Sequence, residues 1–225
     1  MTDGPRTVLV TGARGVLGSA VAAHFREADC RVIGVARSMP KDALSKDGGI
    51  EWIGAELSQA DEVRGAIAVL GQPADILVHC AGGFRFAMTD DISDDDVDFL
   101  IAANLQSALQ MVRAVLPGMK ASGYGRIVLV SSLGTLHPTA GMSVYLATKA
   151  GLNAFVKAVA DEVKDIDVTI NAVLPSIIDT PANRKDMPDA DPSKWVSPGD
   201  LATIISGLIA NSAINGALLP VAGRL

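Results

Sequence analysis

Two side chains four apart, Tyr145 and Lys149, share one face of what reads as a helix over 144–164. A free phenol releases its proton only near pH ~10, and an adjacent ammonium favours the phenolate. The pair is therefore a candidate proton donor and acceptor. Ser132 lies thirteen residues upstream of Tyr145, just past an apolar run. Its hydroxyl could hold the oxygen of a reacting group and stabilise charge developing there. Asn104 sits midway along an earlier helical stretch.

A second set of residues suits an anion. Thr11-Gly12-Ala13-Arg14-Gly15-Val16-Leu17-Gly18 joins an apolar run to a helical pattern. In such a turn Gly12 permits the bend, Gly15 lets the backbone approach a pyrophosphate, and Gly18 lets the helix pack close to the strand. The free N–H groups of the helix start then face the anion. The next apolar run ends in Ala36-Arg37-Ser38, with no carboxylate to hold ribose hydroxyls. Arg37, assisted by Arg14, suits a 2′-phosphate, so the reading is NADP (NADPH), with NAD as the other possibility.

These groups must be positioned by a scaffold. Strands are predicted at 7–11, 31–36, 50–55, 76–81, 126–131, 168–174 and 217–221, and helices at 15–28, 61–70, 94–122, 144–164 and 197–210. Alternating strands and helices predict an α/β fold, a doubly wound parallel sheet of Rossmann type in three α/β/α layers, with about seven strands. No linker or repeat divides the chain, so a single domain over 1–225 is expected. A hydrophobic content of 49% argues against disorder. A formal charge of −6 argues against nucleic acid or anionic membrane as partner. Cys30, Cys80, His24, His79 and His137 fall at no zinc-ligand spacing, so no metal is expected. With no export signal or long apolar run, a cytoplasmic protein is the expectation.

Together the Tyr-x-x-x-Lys pair, Ser132, Asn104 and the glycine turn resemble the short-chain dehydrogenase/reductase family. The resemblance spans nearly the whole chain. It includes His79-Cys80-Ala81-Gly82, where the family usually has Asn-Asn-Ala-Gly, and Leu174-Pro175-Ser176-Ile177-Ile178-Asp179-Thr180, where it has Pro-Gly and then Thr. The resemblance implies hydride transfer between NADP(H) and a small carbonyl or alcohol substrate. Tyr145 would be the acid/base and Ser132 the oxygen holder. Lys149 would also bind the nicotinamide ribose, and Asn104 would support a water link. It places Leu17 by the nicotinamide side of the loop and Glu56-Leu57 beside the adenine. Ala81, Gly82 and Gly83 would line the adenosine ribose and phosphates. Pro175, Ile178 and Thr180 would meet the carboxamide and phosphate. A homodimer or homotetramer is also implied.

Within the family, the glycine spacing, Ala81-Gly82-Gly83-Phe84 and the segment from Asp179 to Trp195 are similar to the dihydropteridine reductase branch. Ala36 and Ser132 depart from it, the first where that branch is acidic, the second where it lacks the serine. Pterin reduction is thus the alternative to carbonyl chemistry, and a non-catalytic NADP-binding regulator is the alternative of another class. Phe84, Arg85, His137 and Trp195 are candidates for the substrate pocket. His79 and Cys80 read as core residues. The aspartates between 90 and 98 read as a solvated helix entry. Leu100, Leu105, Leu109, Val112, Leu152, Phe155 and Val159 give two helices broad apolar surfaces, expected to meet another subunit. The short 181–195 segment predicts an open pocket or a flat substrate.

Overall fold

The computed structural model describes residues 4–224. Its strands are β1 (Thr7–Thr11), β2 (Arg31–Val35), β3 (Ser45–Asp47), β4 (Ile50–Ile53), β5 (Ile76–His79), β6 (Gly125–Val130), β7 (Val168–Pro175) and β8 (Leu218–Val221). They form one eight-stranded sheet in the order β3-β4-β2-β1-β5-β6-β7-β8. Every pairing is parallel except that of β3 with β4. The helices are α1 (Val16–Glu27), α2 (Ala60–Val69), α3 (Asp94–Leu100), α4 (Ser107–Ser122), α5 (Ser143–Glu162), α6 (Pro181–Asp186) and α7 (Pro198–Ala210).

The central strands are mostly apolar because both faces are covered. Val8 and Val10 of β1 join Leu17, Val21 and Phe25 of α1 and Leu201 and Ile205 of α7 in one core. Leu9, between them, points the other way, into a core with Val63 of α2, Met111 and Val115 of α4, and Leu152 and Val156 of α5. The result is the doubly wound, three-layer α/β/α architecture that the alternation predicts. The chain lays β2 and β4 to one side of β1, then crosses to place β5 on the other. The crevice beyond the C-terminal ends of β1 and β5 is the ligand position in such sheets.

Three expectations need correction. The sheet has eight strands rather than about seven. The extra strand, Ser45-Lys46-Asp47, has no apolar residue to announce it, but Gly48 and Gly49 have φ of 59° and 79°. Two consecutive positive φ values make a type I′ hairpin turn, and Gly-Gly is a signal for it. The run expected as one helix over 94–122 contains a π-helical turn, Ile101–Gln106, between α3 and α4. By length and composition this run of 29 residues, with a stretch of mean hydropathy 1.3 inside it, could cross a membrane. Here Ala108, Met111, Val112, Val115 and Met119 of α4 lie in the core beside the sheet. Finally, most of the apolar breadth of the two long helices is satisfied within the chain. Leu100, Val112, Leu152 and Val159 are buried, and Leu105, Leu109 and Phe155 pack partly on the same core.

Candidate active site

β6 delivers Ser132, and the start of α5 delivers Tyr145 and Lys149 beside it. Ser132 is extended (φ −152°), and its Oγ accepts the Gly134 N–H at 3.2 Å, which opens a 3-10 turn at Leu133–Thr135. Ser131 Oγ donates to the Lys149 carbonyl at 3.2 Å, pinning α5 to the end of β6. Lys149 is buried, and its Nζ donates to the Val130 carbonyl at 2.9 Å. Burial lowers the Lys149 ammonium to about 8, with Cys80 pulling weakly the other way. The Tyr145 phenol is raised by burial, while a hydrogen bond with the Ser132 side chain favours its ionised form. Lys149 stands beside the same ring: its Nζ lies 5.9 Å from the Tyr145 ring centroid and donates to the Val130 carbonyl. Burial also lifts the Cys80 thiol to about 12; the residue is half-buried and packs on the edge of the core.

Asn104 is fully buried inside the π-turn. Its Oδ1 accepts from Gly83 N and its Nδ2 donates to the Gly83 carbonyl, both at 2.9 Å. Both arms of the amide therefore hold the loop after β5. A Cβ on Gly82 would lie 2.8 Å from Asn104 Oδ1 and 3.4 Å from Lys149 Nζ, so these residues converge on one point. The side chain positions the loop. π-turns concentrate at functional sites, and nothing in the local sequence announced this one.

His79 fixes the same region from beneath. It is buried, with Nδ1 3.0 Å from Thr11 Oγ1 and Nε2 3.2 Å from Ser107 Oγ. Ser107 gives its proton to the Ala103 carbonyl at 2.7 Å, so it accepts from Nε2–H. Thr11 Oγ1 accepts the Ala81 N–H at 3.2 Å and gives its own proton to Nδ1. Every donor has an acceptor only in the neutral Nε2–H tautomer. Burial, reinforced by the Lys149 charge, lowers this imidazole to about 3.

A cavity of about 590 Å³ opens at the β1/β5 switch point, lined by Gly12, Arg14, Gly15, Arg37, Ser38, Glu56, Leu57, Ala81 and Gly82. Gly12 has φ +64°, and a Cβ there would sit 2.9 Å from Ala81 N. Gly15 is the N-cap of α1 and offers no side chain to the helix start, leaving its N–H groups for an anion. A dinucleotide therefore fits, with its pyrophosphate at the α1 N-terminus. Arg14 and Arg37 both reach the cavity but are engaged. Arg37 meets Glu56 at 3.7 Å, and Arg14 donates to Met39 Sδ at 3.1 Å with its guanidinium 5.2 Å from the Trp52 ring. Glu56 also accepts from Ser58.

Other expected cofactor residues lie outside this cavity. Leu17 and Gly18 are buried in α1, and Gly83 is held by Asn104. Pro175 ends β7, Ile178 pairs with Val196, and Thr180 caps α6 by accepting Asn183 N–H at 3.1 Å. Phe99, Ala102, Ala103 and Ser107 line the cavity and were missed. Their signal was the small Ala102-Ala103 pair beside Asn104, which lets the π-turn approach the crevice.

On the substrate side, the Phe84 ring meets the Tyr145 ring edge-on, with centroids 5.0 Å apart. Arg85 does not face this site. It donates to Asp96 at 2.8 Å and to the Phe84 carbonyl at 2.9 Å, and it stacks 4.3 Å over Phe99. The first-turn aspartates of α3 attract it there. His137 is exposed on the loop before α5. Trp195 is only 6% exposed, at the end of a 3-10 turn, so it packs inward rather than lining an open pocket. Among the described residues no cluster of His, Cys, Asp or Glu could hold a metal ion.

A glycine turn at the switch point of a doubly wound sheet, with Ser just past a strand end and Tyr and Lys on the helix beside it, is the arrangement of a dinucleotide-dependent oxidoreductase. Comparison with known proteins narrows that class: the family model described as short chain dehydrogenase matches residues 6–191, and the chain belongs to that family. It is 32% identical to the 3-oxoacyl-(acyl-carrier-protein) reductase of Pseudomonas aeruginosa, over 98% of this chain and 97% of the relative. It is 29% identical to the acetoacetyl-CoA reductase of Allochromatium vinosum, over 98% of both. The D-beta-hydroxybutyrate dehydrogenase of Cupriavidus necator is 33% identical over 80% of this chain and 73% of its own length. The ligand-free aldohexose dehydrogenase of Thermoplasma acidophilum superposes with a TM-score of 0.86 at 23% identity, over 98% of this chain and 94% of that one, a likeness of fold. The matches show the family and not specifically its dihydropteridine reductase branch.

Proposed function

We propose that this chain, as a single domain, interconverts small carbonyl and alcohol substrates with NADP(H). The observation that carries the reading is the cluster of Ser132, Tyr145 and Lys149 beside a dinucleotide-sized cavity. A bound nicotinamide supplies the hydride to the carbonyl carbon, or accepts it in the reverse direction. Tyr145 gives its proton to the carbonyl oxygen, and Ser132 holds that oxygen as charge develops. Lys149, lowered to about 8, can exchange a proton near neutral pH and recharge the phenol. Asn104 keeps Gly82 and Gly83 against this group. Arg37, Ser38 and Arg14 line the end of the cavity suited to a 2′-phosphate, which supports NADPH over NADH.

The reading includes a homodimer or homotetramer, supported by a shallow apolar hollow at Ile101, Leu105, Val144 and Ala147. It includes a cytoplasmic location, in keeping with two free cysteines and a net charge of −6. Relatives named for reducing 3-oxoacyl and acetoacetyl groups support a carbonyl substrate. The test is NADPH oxidation with ketones, aldehydes and 3-oxo esters against quinonoid dihydropterin. Carbonyl turnover is expected; turnover of the pterin alone would replace the reading. Tyr145→Phe should cost about 10²–10⁴-fold in kcat while NADPH still binds. Full activity in that variant would exclude Tyr145 as the acid.

A further inference from the structure

We infer that the substrate carbonyl belongs to a neutral molecule with an apolar arm, a ketone or 3-oxo ester, and that free 3-oxo acids are discriminated against. The inference rests on the proposed carbonyl chemistry and names its substrate class.

Four large apolar side chains stand exposed on the two loops that leave β5 and β6: Phe84 at 47%, Phe86 at 68%, Met88 at 49% and Leu136 at 48%. Such residues are ordinary singly but informative when they cluster. Here the Phe84 ring rests edge-on against Tyr145, and Phe86, Met88 and Leu136 follow on the same two loops. This surface is also built. Ala87 N donates to the Gly141 carbonyl at 3.0 Å, and Thr89 Oγ1 donates to Ser143 Oγ at 2.9 Å, tying one loop to the other. Phe86 lies flat against Gly141, where any Cβ would collide with its ring. The apolar surface is thus held in place at the mouth of the site.

Charge on these loops favours the same substrate. Arg85 is their one cation, and Asp96, the Phe84 carbonyl and the Phe99 ring all hold it away from Tyr145. Asp90 and Asp91 follow on the same loop. A substrate carboxylate entering here would shed water without gaining a cation from these loops, and the Lys149 ammonium behind the phenol is already held by the Val130 carbonyl, so entry is costly. An alkyl or aryl arm would gain by covering the exposed rings.

The test compares ethyl 3-oxobutanoate, ethyl 3-oxohexanoate and 3-oxobutanoate, which share one reacting carbonyl, with NADPH at pH 7. The esters should exceed the acid in kcat/KM by at least about tenfold, and the longer ester should exceed the shorter. Phe86→Ser and, independently, Leu136→Ser should remove the chain-length advantage through KM. Calorimetry on the NADPH-loaded Tyr145→Phe variant reads binding apart from turnover: the long ester should bind and the acid should not. Equal or better use of the acid would overturn the inference and leave the reductase reading standing. If no carbonyl is turned over, the reductase reading falls, and the absence of ester binding would overturn the inference with it. A changed oligomeric state in Phe86→Ser, with the long-ester KM unchanged, would assign the patch to a subunit contact and overturn it as well.

Discussion

At the scale of single residues, the proposed preference for NADPH rests on Arg37 and its neighbour. Arg37 and Glu56 meet at 3.7 Å with side chains 80% and 39% exposed. An exposed pair of this kind contributes at most about 1 kcal/mol, so a 2′-phosphate can draw the guanidinium away. Glu56 nevertheless competes for it. Glu56→Gln should lower KM for NADPH about two- to fivefold and leave NADH unchanged. Arg37→Asp should swing preference toward NADH. Michaelis constants for both cofactors check this, and unchanged values in both variants would remove Arg37 from the nucleotide site. The candidate catalytic residues stood out in the sequence because their types and spacing are unusual together. Their working partners did not. The 3.0 Å link from His79 to Thr11 and the hold of Asn104 on Gly83 join residues 68 and 21 apart, which only folding brings together.

At the scale of elements, the glycine turn shows how packing and binding share one geometry. A Cβ on Gly18 would come within 2.6 Å of the Gly12 carbonyl carbon and 2.9 Å of Ala13 Cα. Those atoms are backbone and cannot rotate aside. Gly18→Ala should therefore push α1 off the loop, costing about 1–3 kcal/mol of stability and displacing the N–H groups that face the pyrophosphate. Chemical denaturation and NADPH titration should fall together; a variant of normal stability and affinity would mean the loop yields freely. Elements with periodic apolar residues, such as α1 and β6, were legible because burial dictates their composition. β3 was not, since an exposed edge strand of Ser, Lys and Asp needs no apolar residue. The π-turn was not, since one extra residue per turn leaves no mark on composition.

At the scale of the whole molecule, the buried His79 and Lys149 shape the pH dependence of stability. His79 has a folded value of about 3 against 6.5 free. Above pH 6.5 it is neutral in both states. As pH falls toward 3, the unfolded chain takes a proton that the folded one refuses, so stability is lost. Lys149 has a folded value of about 8 against 10.5 free. Below pH 8 it is charged in both states and the full burial penalty applies; between 8 and 10.5 the unfolded chain holds more protons, so stability rises with pH. Under the proposed mechanism the penalty is offset by function, because a lysine that exchanges protons near neutrality serves the Tyr145 proton path. The stability difference between wild type and Lys149→Met should accordingly move by about 2 kcal/mol in favour of wild type from pH 8 to 9.5, read by urea denaturation at each pH. The pH profile of kcat/KM should bend in the same range, because one proton governs both curves. A flat stability difference would mean that Lys149 keeps its ordinary affinity for the proton, and the bend in activity would then have to belong to Tyr145.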